Sequence, residues 1–320
     1  MSVTCLPVPT PFAVGRVNCY LIDDDPLTLV DAGPNSGTSL MTLEHALAEH
    51  GRKVEDLERI VLTHQHIDHI GLAQILADRS GAEVVALDAL APWLASYGDN
   101  MEDDDRFAEA IMARHGIPED VRFALRAVSA QFRAWGARVQ VTRTVAEGDV
   151  LEFAGRSWRV HHRPGHSPSD TVFHDEAAEE LIGGDHLIAK ISSNPLIARP
   201  LDGTTDERPQ ALRIYLESLA KTRAMPVGVV WAGHGEPVDD HVAIIDERVR
   251  LHARRAEKLH RLISERPRSA YELAQAMWGN VAVTQAYLTL SEVLGHTDLL
   301  MNDGRVREAE ADGVVRFEAA

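Results

Sequence analysis

Cysteine is scarce in this 320-residue sequence, which contains only Cys5 and Cys19. Two cysteines cannot form a disulfide framework, and neither lies at a ligand-like spacing, so we expect both to be small buried side chains. Hydrophobic runs long enough to span a membrane are also missing. The first residues lack the basic segment and apolar run of an export signal. The expectation is therefore a cytoplasmic protein without a membrane partner.

Basic and aromatic residues are also few. Lysine and arginine number 32 against 49 acidic residues, which gives a net charge of -17, and aromatic residues make up 5% of the chain. A protein that mainly holds nucleic acid needs a cationic track or stacking aromatic side chains, so nucleic acid is disfavoured as a partner but not excluded. The length predicts one large domain and a smaller one.

Histidine is instead concentrated in one stretch, Thr63–Gly71, which reads THQHIDHIG. His64 and His66 alternate along an extended segment and can converge on one ion, while Asp68 and His69 can turn toward a second. Apolar residues precede and follow the stretch, which argues against a solvated loop. Because imidazole and carboxylate groups are the ligands of zinc, iron and manganese sites, the stretch predicts a metal site.

Hydrophobic periodicity predicts a mixed α/β arrangement in the first 240 residues. Predicted strands lie at 14–21, 27–30, 57–62, 83–87, 139–141, 150–153, 157–161, 171–173, 181–182 and 227–231. Predicted helices lie at 39–49, 72–79 and 209–223, and a helical insert at about 89–136 is expected to overhang the metal site. Three further polar residues, His166, Asp185 and His234, each follow a hydrophobic strand and lie beside glycine, where loops commonly carry functional groups.

The tail from residue 241 has a different composition. A long helical pattern ends before Pro267, and Ser269 with Glu272 forms a capping-box signature that predicts a second helix. A third helix at 284–294 and a hairpin at 305–317 complete the pattern. The sequence therefore predicts a catalytic domain over residues 1–240 and a winged-helix-like domain over residues 241–320.

The ligand pattern resembles that of metallo-β-lactamase superfamily hydrolases. Their hallmark is His-x-His-x-Asp-His followed by a distant histidine, an aspartate and a last histidine, here His64, His66, Asp68, His69, His166, Asp185 and His234. The resemblance covers about residues 1–240, and the tail resembles the winged-helix segment of some of these hydrolases. It implies an α+β fold, a four-layer αββα sandwich with a small helical, winged-helix-like C-terminal domain.

The same resemblance implies two divalent metal ions, with zinc expected first and iron or manganese as alternatives. It assigns His64, His66 and His166 to the first ion, Asp68, His69 and His234 to the second, and Asp185 to both. Two such ions can share an attacking hydroxide, and Asp68 would handle the exchanged proton. Asp31 matches a family aspartate that supports the histidine loop, as ligating imidazoles need.

A complete ligand set favours hydrolysis over the redox branches of the superfamily, although single-iron sulfur dioxygenases remain an alternative. The favoured substrate is a small activated acyl compound, a thioester or a lactone. In this interpretation the helical insert walls an acyl pocket, and Ser192, Ser193 and Asn194 line its mouth. The absence of an export signal argues against an antibiotic-destroying role.

Two other functions remain open. A single-strand endoribonuclease has a similar layout, because some lactamase-like nucleases carry the same tail. A winged-helix DNA-binding regulator is a third hypothesis, but the recognition helix expected at 283–294 has no arginine or lysine for phosphate. The tail is expected instead to close one side of the pocket or to form a homodimer contact.

Eleven histidines fall outside the ligand pattern, and surface or capping roles are expected for them. They are His45, His50, His115, His161, His162, His174, His186, His241, His252, His260 and His296.

Overall fold

A computed structural model describes residues 3–153 and 155–320, and the chain divides into two units. The first unit comprises Met1–Met101, Phe132–Ser193 and Ala224–His241. The second comprises Glu102–Gln131, Asn194–Arg223 and Val242–Ala320. Each unit therefore consists of three separate stretches of chain. This division differs from the predicted single boundary after residue 240.

Two sheets form the framework of the first unit. Its strands are β1 (Val3–Val8), β2 (Val17–Ile22), β3 (Thr28–Val30), β4 (Arg59–Val61), β5 (Glu83–Leu87), β6 (Arg143–Val145), β7 (Val150–Phe153), β8 (Arg156–His162), β9 (Thr171–Asp175), β10 (Glu180–Gly184) and β11 (Val229–Ala232). One sheet has the order β1-β2-β3-β4-β5-β6, and the other has the order β11-β10-β9-β8-β7. Strands β3 to β6 are parallel, as are β10 and β11, so their carboxyl ends lie at common sheet edges.

The core of the first unit lies between these sheets. Val30, Val61 and Val85 from the first sheet belong to the same buried cluster as Trp158 and Phe173 from the second. These β-branched and aromatic side chains suit a pleated, buried surface, which is why these segments form strands. The apolar cluster supplies the rigid support on which the loops at the strand ends rest.

Helices flank the strands along the chain. They are α1 (Gly37–Glu49), α2 (Ile67–Ile70), α3 (Ala73–Ser80), α4 (Ala91–Ala95), α5 (Tyr97–Arg114), α6 (Glu119–Phe132), α7 (Ala211–Arg223), α8 (His241–Glu265), α9 (Ala270–Trp278), α10 (Val281–Thr284) and α11 (Ala286–Asn302). The predicted helical insert is confirmed by α4, α5 and α6. Within the described residues, no helix combines the length and the hydropathy that crossing a membrane requires.

The second unit is mainly helical and also holds a small antiparallel sheet. The strands β12 (Arg268–Ser269), β13 (Val306–Ala311) and β14 (Val314–Ala319) pair in the order β12-β14-β13. The predicted capping box is confirmed, since Ser269 Oγ accepts the backbone N–H of Glu272 and the Glu272 carboxylate accepts the N–H of Ser269. The winged-helix assignment of this region stays a prediction.

Three details of the sequence prediction are wrong. The strand predicted at 139–141 lies instead at β6, because the N–H of Val139 bonds to Leu94 and that of Gln140 bonds to a side chain. Strand β1 was not predicted, since a sheet-edge strand that contains proline has a weak signal. Cys19 is buried as expected, but Cys5 on that edge strand is exposed.

Candidate metal centre

The chemically important side chains follow the carboxyl ends of strands. His64 and His66 come after β4, Asp185 follows β10 directly, and His234 follows β11. His166 lies in the loop between β8 and β9. Rigid strands thus bring loops from distant parts of the sequence to one place in the first unit.

All seven side chains predicted as ligands lie in two adjoining clusters. One contains His64, His66, His166 and Asp185, the other contains Asp68, His69 and His234, and within each cluster the ligand atoms lie within 4.8 Å of one another. Asp185 faces both clusters. Its Oδ2 is 3.5 Å from the Nε2 atoms of His166 and His234, and its Oδ1 is 3.5 Å from Nε2 of His69.

Asp31, which the family resemblance assigns to the support of the histidine loop, contacts His69 and Thr63. Its backbone has a φ of 60°, which aims the carboxylate at the histidine loop. Asp31 Oδ1 accepts the N–H of Thr63 at 2.9 Å, and Oδ2 lies 2.7 Å from His69 Nδ1. Because a carboxylate only accepts, Nδ1 of His69 carries a proton, and Nε2 is the ring nitrogen that faces Asp185.

Residues of β2 and the preceding loop hold His234, a role that the sequence reading missed. The carbonyl of Arg16 accepts a hydrogen bond from His234 Nδ1 at 2.7 Å. The Asn18 side chain donates to the carbonyls of Ala232 and Gly235, each at 2.9 Å. The available signal was one polar residue, Asn18, inside the buried strand VNCYLI.

A second missed network fixes the loop that carries His166. Asp170 accepts the backbone N–H of Ser167 at 2.9 Å and its hydroxyl at 2.7 Å. Ser169 Oγ accepts the N–H of Gln65 and bonds to the side chain of the same residue. The loop of His166 is therefore tied directly to the His64–His66 segment.

The donor set fits divalent transition-metal ions. Among residues 3–153 and 155–320, His64 Nε2, His69 Nε2 and Asp185 Oδ1 are buried atoms with no hydrogen-bond partner. Buried polar atoms without a partner cost free energy of folding. Two imidazole nitrogens and one carboxylate oxygen that lie close together would be satisfied by coordinating a metal ion. A Cβ at Gly233 would clash with Asp185 Oδ1 and lie 2.9 Å from His69 Cε1, so the ligands leave no room for a side chain there.

Comparison with known proteins agrees with this geometry. A family model described as the metallo-beta-lactamase superfamily matches residues 13–234. The chain belongs to the metallo-beta-lactamase superfamily. A second model, described as a metallo-beta-lactamase-like C-terminal domain, matches residues 256–320.

The similar proteins include hydrolases. A probable metallo-hydrolase of Bacillus subtilis, YqjP, is 35% identical over 302 residues, which cover 93% of this chain and 92% of that protein. The hydroxyacylglutathione hydrolase GloC of Haemophilus influenzae is 26% identical, covering 73% of this chain and 91% of that protein. The human acyl-coenzyme A thioesterase MBLAC2 is 34% identical over 39% of each chain.

Solved structures of the superfamily have the same fold. A beta-lactamase domain protein from Burkholderia ambifaria aligns with a TM-score of 0.83 and 27% identity, covering 100% of this chain and 93% of that one. The predicted α+β sandwich of the metallo-β-lactamase type is thereby confirmed.

Burial and neighbouring charges shift the pKa values of several residues in this superfamily site. Burial, followed by the neighbouring histidines, holds the pKa of His64 well below its usual range, and burial lowers the pKa of His66 to about 3. Both rings are therefore neutral ligands at physiological pH. Burial raises the pKa of Asp185, but His69 and His234 outweigh it and hold that pKa well below its usual range, so the carboxylate is ionised.

The three residues predicted to line the substrate mouth make different contacts. Ser193 Oγ donates to the backbone carbonyl of Asp185 at 2.5 Å and so supports the loop of that ligand. Asn194 belongs to the second unit, where its amide donates to Leu288. The Ser192 hydroxyl is buried and has no hydrogen-bond partner within the described ranges. Substrate contact by these residues stays a prediction.

Six of the remaining histidines, for which surface or capping roles were expected, are buried, so a surface role is wrong for them. They are His115, His174, His186, His241, His252 and His296. His186 beside Asp185 is fully buried, and burial lowers its pKa to about 3, so it is a neutral core residue. Residue type alone did not reveal this, since burial depends on the tertiary fold.

Proposed function

We propose that this metallo-hydrolase cleaves a small activated acyl compound, a thioester or a lactone, with two divalent metal ions, zinc first among them. The observation that carries the proposal is the position of Asp185, whose two oxygens face both ligand clusters at 3.5 Å. A carboxylate in this position suits a pair of ions that act together on one substrate oxygen.

In this proposal the protein residues have two roles, which are to bind the metal ions and to transfer a proton. His64, His66 and His166 would hold one ion, with Asp68, His69 and His234 for the other and Asp185 for both. When bound, the ions supply Lewis-acid polarisation of the acyl carbonyl and a nucleophile at neutral pH.

Asp68 is the group suited to proton transfer. Burial raises its pKa, but a hydrogen bond from His234 and the charge of His69 outweigh burial and lower that pKa. Asp68 is therefore a carboxylate at neutral pH, with Oδ2 3.4 Å from His234 Nε2. In our proposal it accepts a proton from the attacking water and delivers it to the leaving thiolate or alkoxide.

The names of two similar proteins support acyl chemistry. GloC is described as a hydroxyacylglutathione hydrolase and MBLAC2 as an acyl-coenzyme A thioesterase. Both names denote hydrolysis of a thioester. The net charge of -17 points the same way, because it disfavours an RNA substrate.

The DNA-regulator hypothesis gains no support from α11. The predicted recognition helix at 283–294 includes Thr284 and Gln285, which precede α11 and are exposed, and Glu292 on α11, which is buried and paired with Arg255 at 3.1 Å. A recognition helix needs an exposed polar face that can enter a DNA groove. We therefore do not propose DNA reading as the function.

A substrate panel tests the proposal. Acyl-thioesters, lactones and short single-stranded RNAs are assayed with the wild type and with His66→Ala. We expect thioester or lactone turnover that is lost in His66→Ala. RNA cleavage that depends on His66, without acyl turnover, would replace our proposal with the endoribonuclease alternative.

A further inference from the structure

A third cluster of metal-ligating side chains lies in the second unit, apart from the seven residues described above. His252 on α8 and Glu292 and His296 on α11 bring ligand atoms within 4.8 Å of one another. All three side chains are buried, and both imidazoles are at most 1% exposed. Glu292 and His296 are four residues apart on one helix, so they lie on the same face.

The tautomer of His296 is fixed in the form that a metal ligand needs. Its Nδ1 lies 2.5 Å from the backbone carbonyl of Glu292, one turn earlier on α11. A carbonyl only accepts, so the proton is on Nδ1 and the lone pair is on Nε2. Metal-ligating histidines are commonly held by a hydrogen bond of this kind.

The distance between the two imidazoles is similar to that between two ligand imidazoles of the catalytic centre. His296 Nε2 lies 3.2 Å from His252 Nδ1, and in the catalytic centre His166 Nε2 lies 2.9 Å from His66 Nδ1. Two nitrogens that share a tetrahedral zinc ion, each about 2.0–2.1 Å from it, are separated by a little over 3 Å. The second ring nitrogen of one histidine in each pair is also in a similar environment. His252 Nε2 and His166 Nδ1 are both buried without a hydrogen-bond partner among the described residues.

Glu292 supplies the negative charge that a cation between these rings requires. Arg255 Nη1 donates to Glu292 Oε2 at 3.1 Å, which orients the carboxylate and still leaves acceptor positions on its two oxygens. Burial lowers the pKa of His252 to about 3 and also lowers the pKa of His296, so both rings are neutral. Two neutral imidazoles and one carboxylate are a ligand set that zinc and related ions accept.

We propose that His252, Glu292 and His296 form a third, structural transition-metal site that links α8 to α11. The three protein ligands leave one tetrahedral position for a water molecule. Because the ligands come from two helices, bound metal stabilises the packing of the second unit. This site takes no part in the acyl chemistry proposed above.

Zinc counting on the full-length protein tests the site. Wild-type protein is stripped with a chelator, reloaded with zinc, desalted and analysed for metal per chain. We expect His252→Gln and Glu292→Gln each to bind one zinc ion fewer than the wild type. The matched change His260→Gln, on the same helix outside the cluster, should keep the wild-type number.

A second readout covers failure of one variant to fold. Zinc should raise the thermal unfolding temperature of the wild type more than that of whichever variant folds, while acyl turnover per folded molecule stays unchanged. Equal zinc numbers and equal zinc-induced shifts in wild type and variant would overturn the proposal. The cluster would then be a hydrogen-bonded histidine pair in the core, and the catalytic proposal would stand unaffected.

Discussion

Asp31 illustrates how one buried carboxylate sets the chemistry of a neighbouring ring. It accepts from His69 Nδ1 and from the backbone of Thr63, so His69 can offer only Nε2 to a metal ion. The family resemblance predicted a supporting aspartate at this position, and Asp31 lies 2.7 Å from His69 Nδ1. Asn18 was missed, because its partners Ala232 and Gly235 are distant in the sequence and only the folded chain places them beside it. Asp170 was missed although its partner Ser167 is three residues away.

Replacing Asp31 by asparagine should weaken metal binding. Whichever way the amide turns, its NH2 group faces an N–H donor, either that of His69 or that of Thr63. We expect zinc affinity to fall by about 10- to 100-fold, as for other groups that orient a ligand. A competition titration against a chelating dye measures the effect, and Asp239→Asn, at an exposed position, is the control. Unchanged affinity would remove Asp31 from the support of the site.

His115 makes the second unit sensitive to acid. Burial, followed by the charges of Arg208 and Arg114, lowers its pKa to about 3, and the ring stacks on Phe317. The folded pKa lies below the unfolded value, so this contribution to stability is full above pH 6.5 and is lost as the pH falls toward 3. Between pH 7 and pH 5 we expect a loss of about 2 kcal/mol from this residue.

The variant His115→Leu should remove that part of the pH dependence. Urea unfolding at pH 7 and pH 5 gives the change in the free energy of unfolding for both proteins. His45→Leu, at a side chain that is 79% exposed, should retain the wild-type slope. Equal slopes for wild type and His115→Leu would contradict the assignment.

Strand ends are the elements that build the metal centre. Strands β4, β10 and β11 deliver His64, Asp185 and His234 from positions separated by up to 170 residues in the sequence. Most of these strands were predictable from hydrophobic runs bounded by glycine. The strand at 139–141 was placed wrongly because its apolar pattern is short, and backbone pairing, rather than pattern, decided which residues joined β5.

Gly233, just after β11, lies in close contact with the ligands Asp185 and His69, and its replacement tests whether that close contact is required. An alanine Cβ there would overlap Asp185 Oδ1 and crowd His69 Cε1 at 2.9 Å. Displacing ligands by about 1 Å can cost about 100-fold in rate, so we expect a loss of that size in kcat for Gly233→Ala. Steady-state kinetics and metal analysis check it.

A matched glycine provides the control for that measurement. A Cβ at Gly37, at the start of α1, would meet no atom within 4 Å. Gly37→Ala should therefore keep the wild-type kcat and metal content. Wild-type activity in Gly233→Ala would show that the ligands can move away from the added methyl group without loss of function.

At the scale of the whole molecule, charge and chain organisation constrain the substrate and the architecture. The acidic balance of 49 carboxylates against 32 basic residues disfavours a nucleic-acid substrate. The sequence predicted a sandwich and a helical tail. It did not predict that Glu102–Gln131 and Asn194–Arg223 join the tail in one unit, because such grouping depends on contacts between distant segments.

In our proposal the Asp185 carboxylate serves both ligand clusters of a hydrolytic centre, and the variant Asp185→Asn removes that arrangement. An amide retains the shape of the side chain but cannot present two anionic oxygens. With the acyl substrate that the wild type hydrolyses fastest, we expect kcat to fall by at least about 100-fold while circular dichroism stays unchanged. Turnover within a few-fold of wild type in a folded Asp185→Asn protein would show that Asp185 does not serve both clusters.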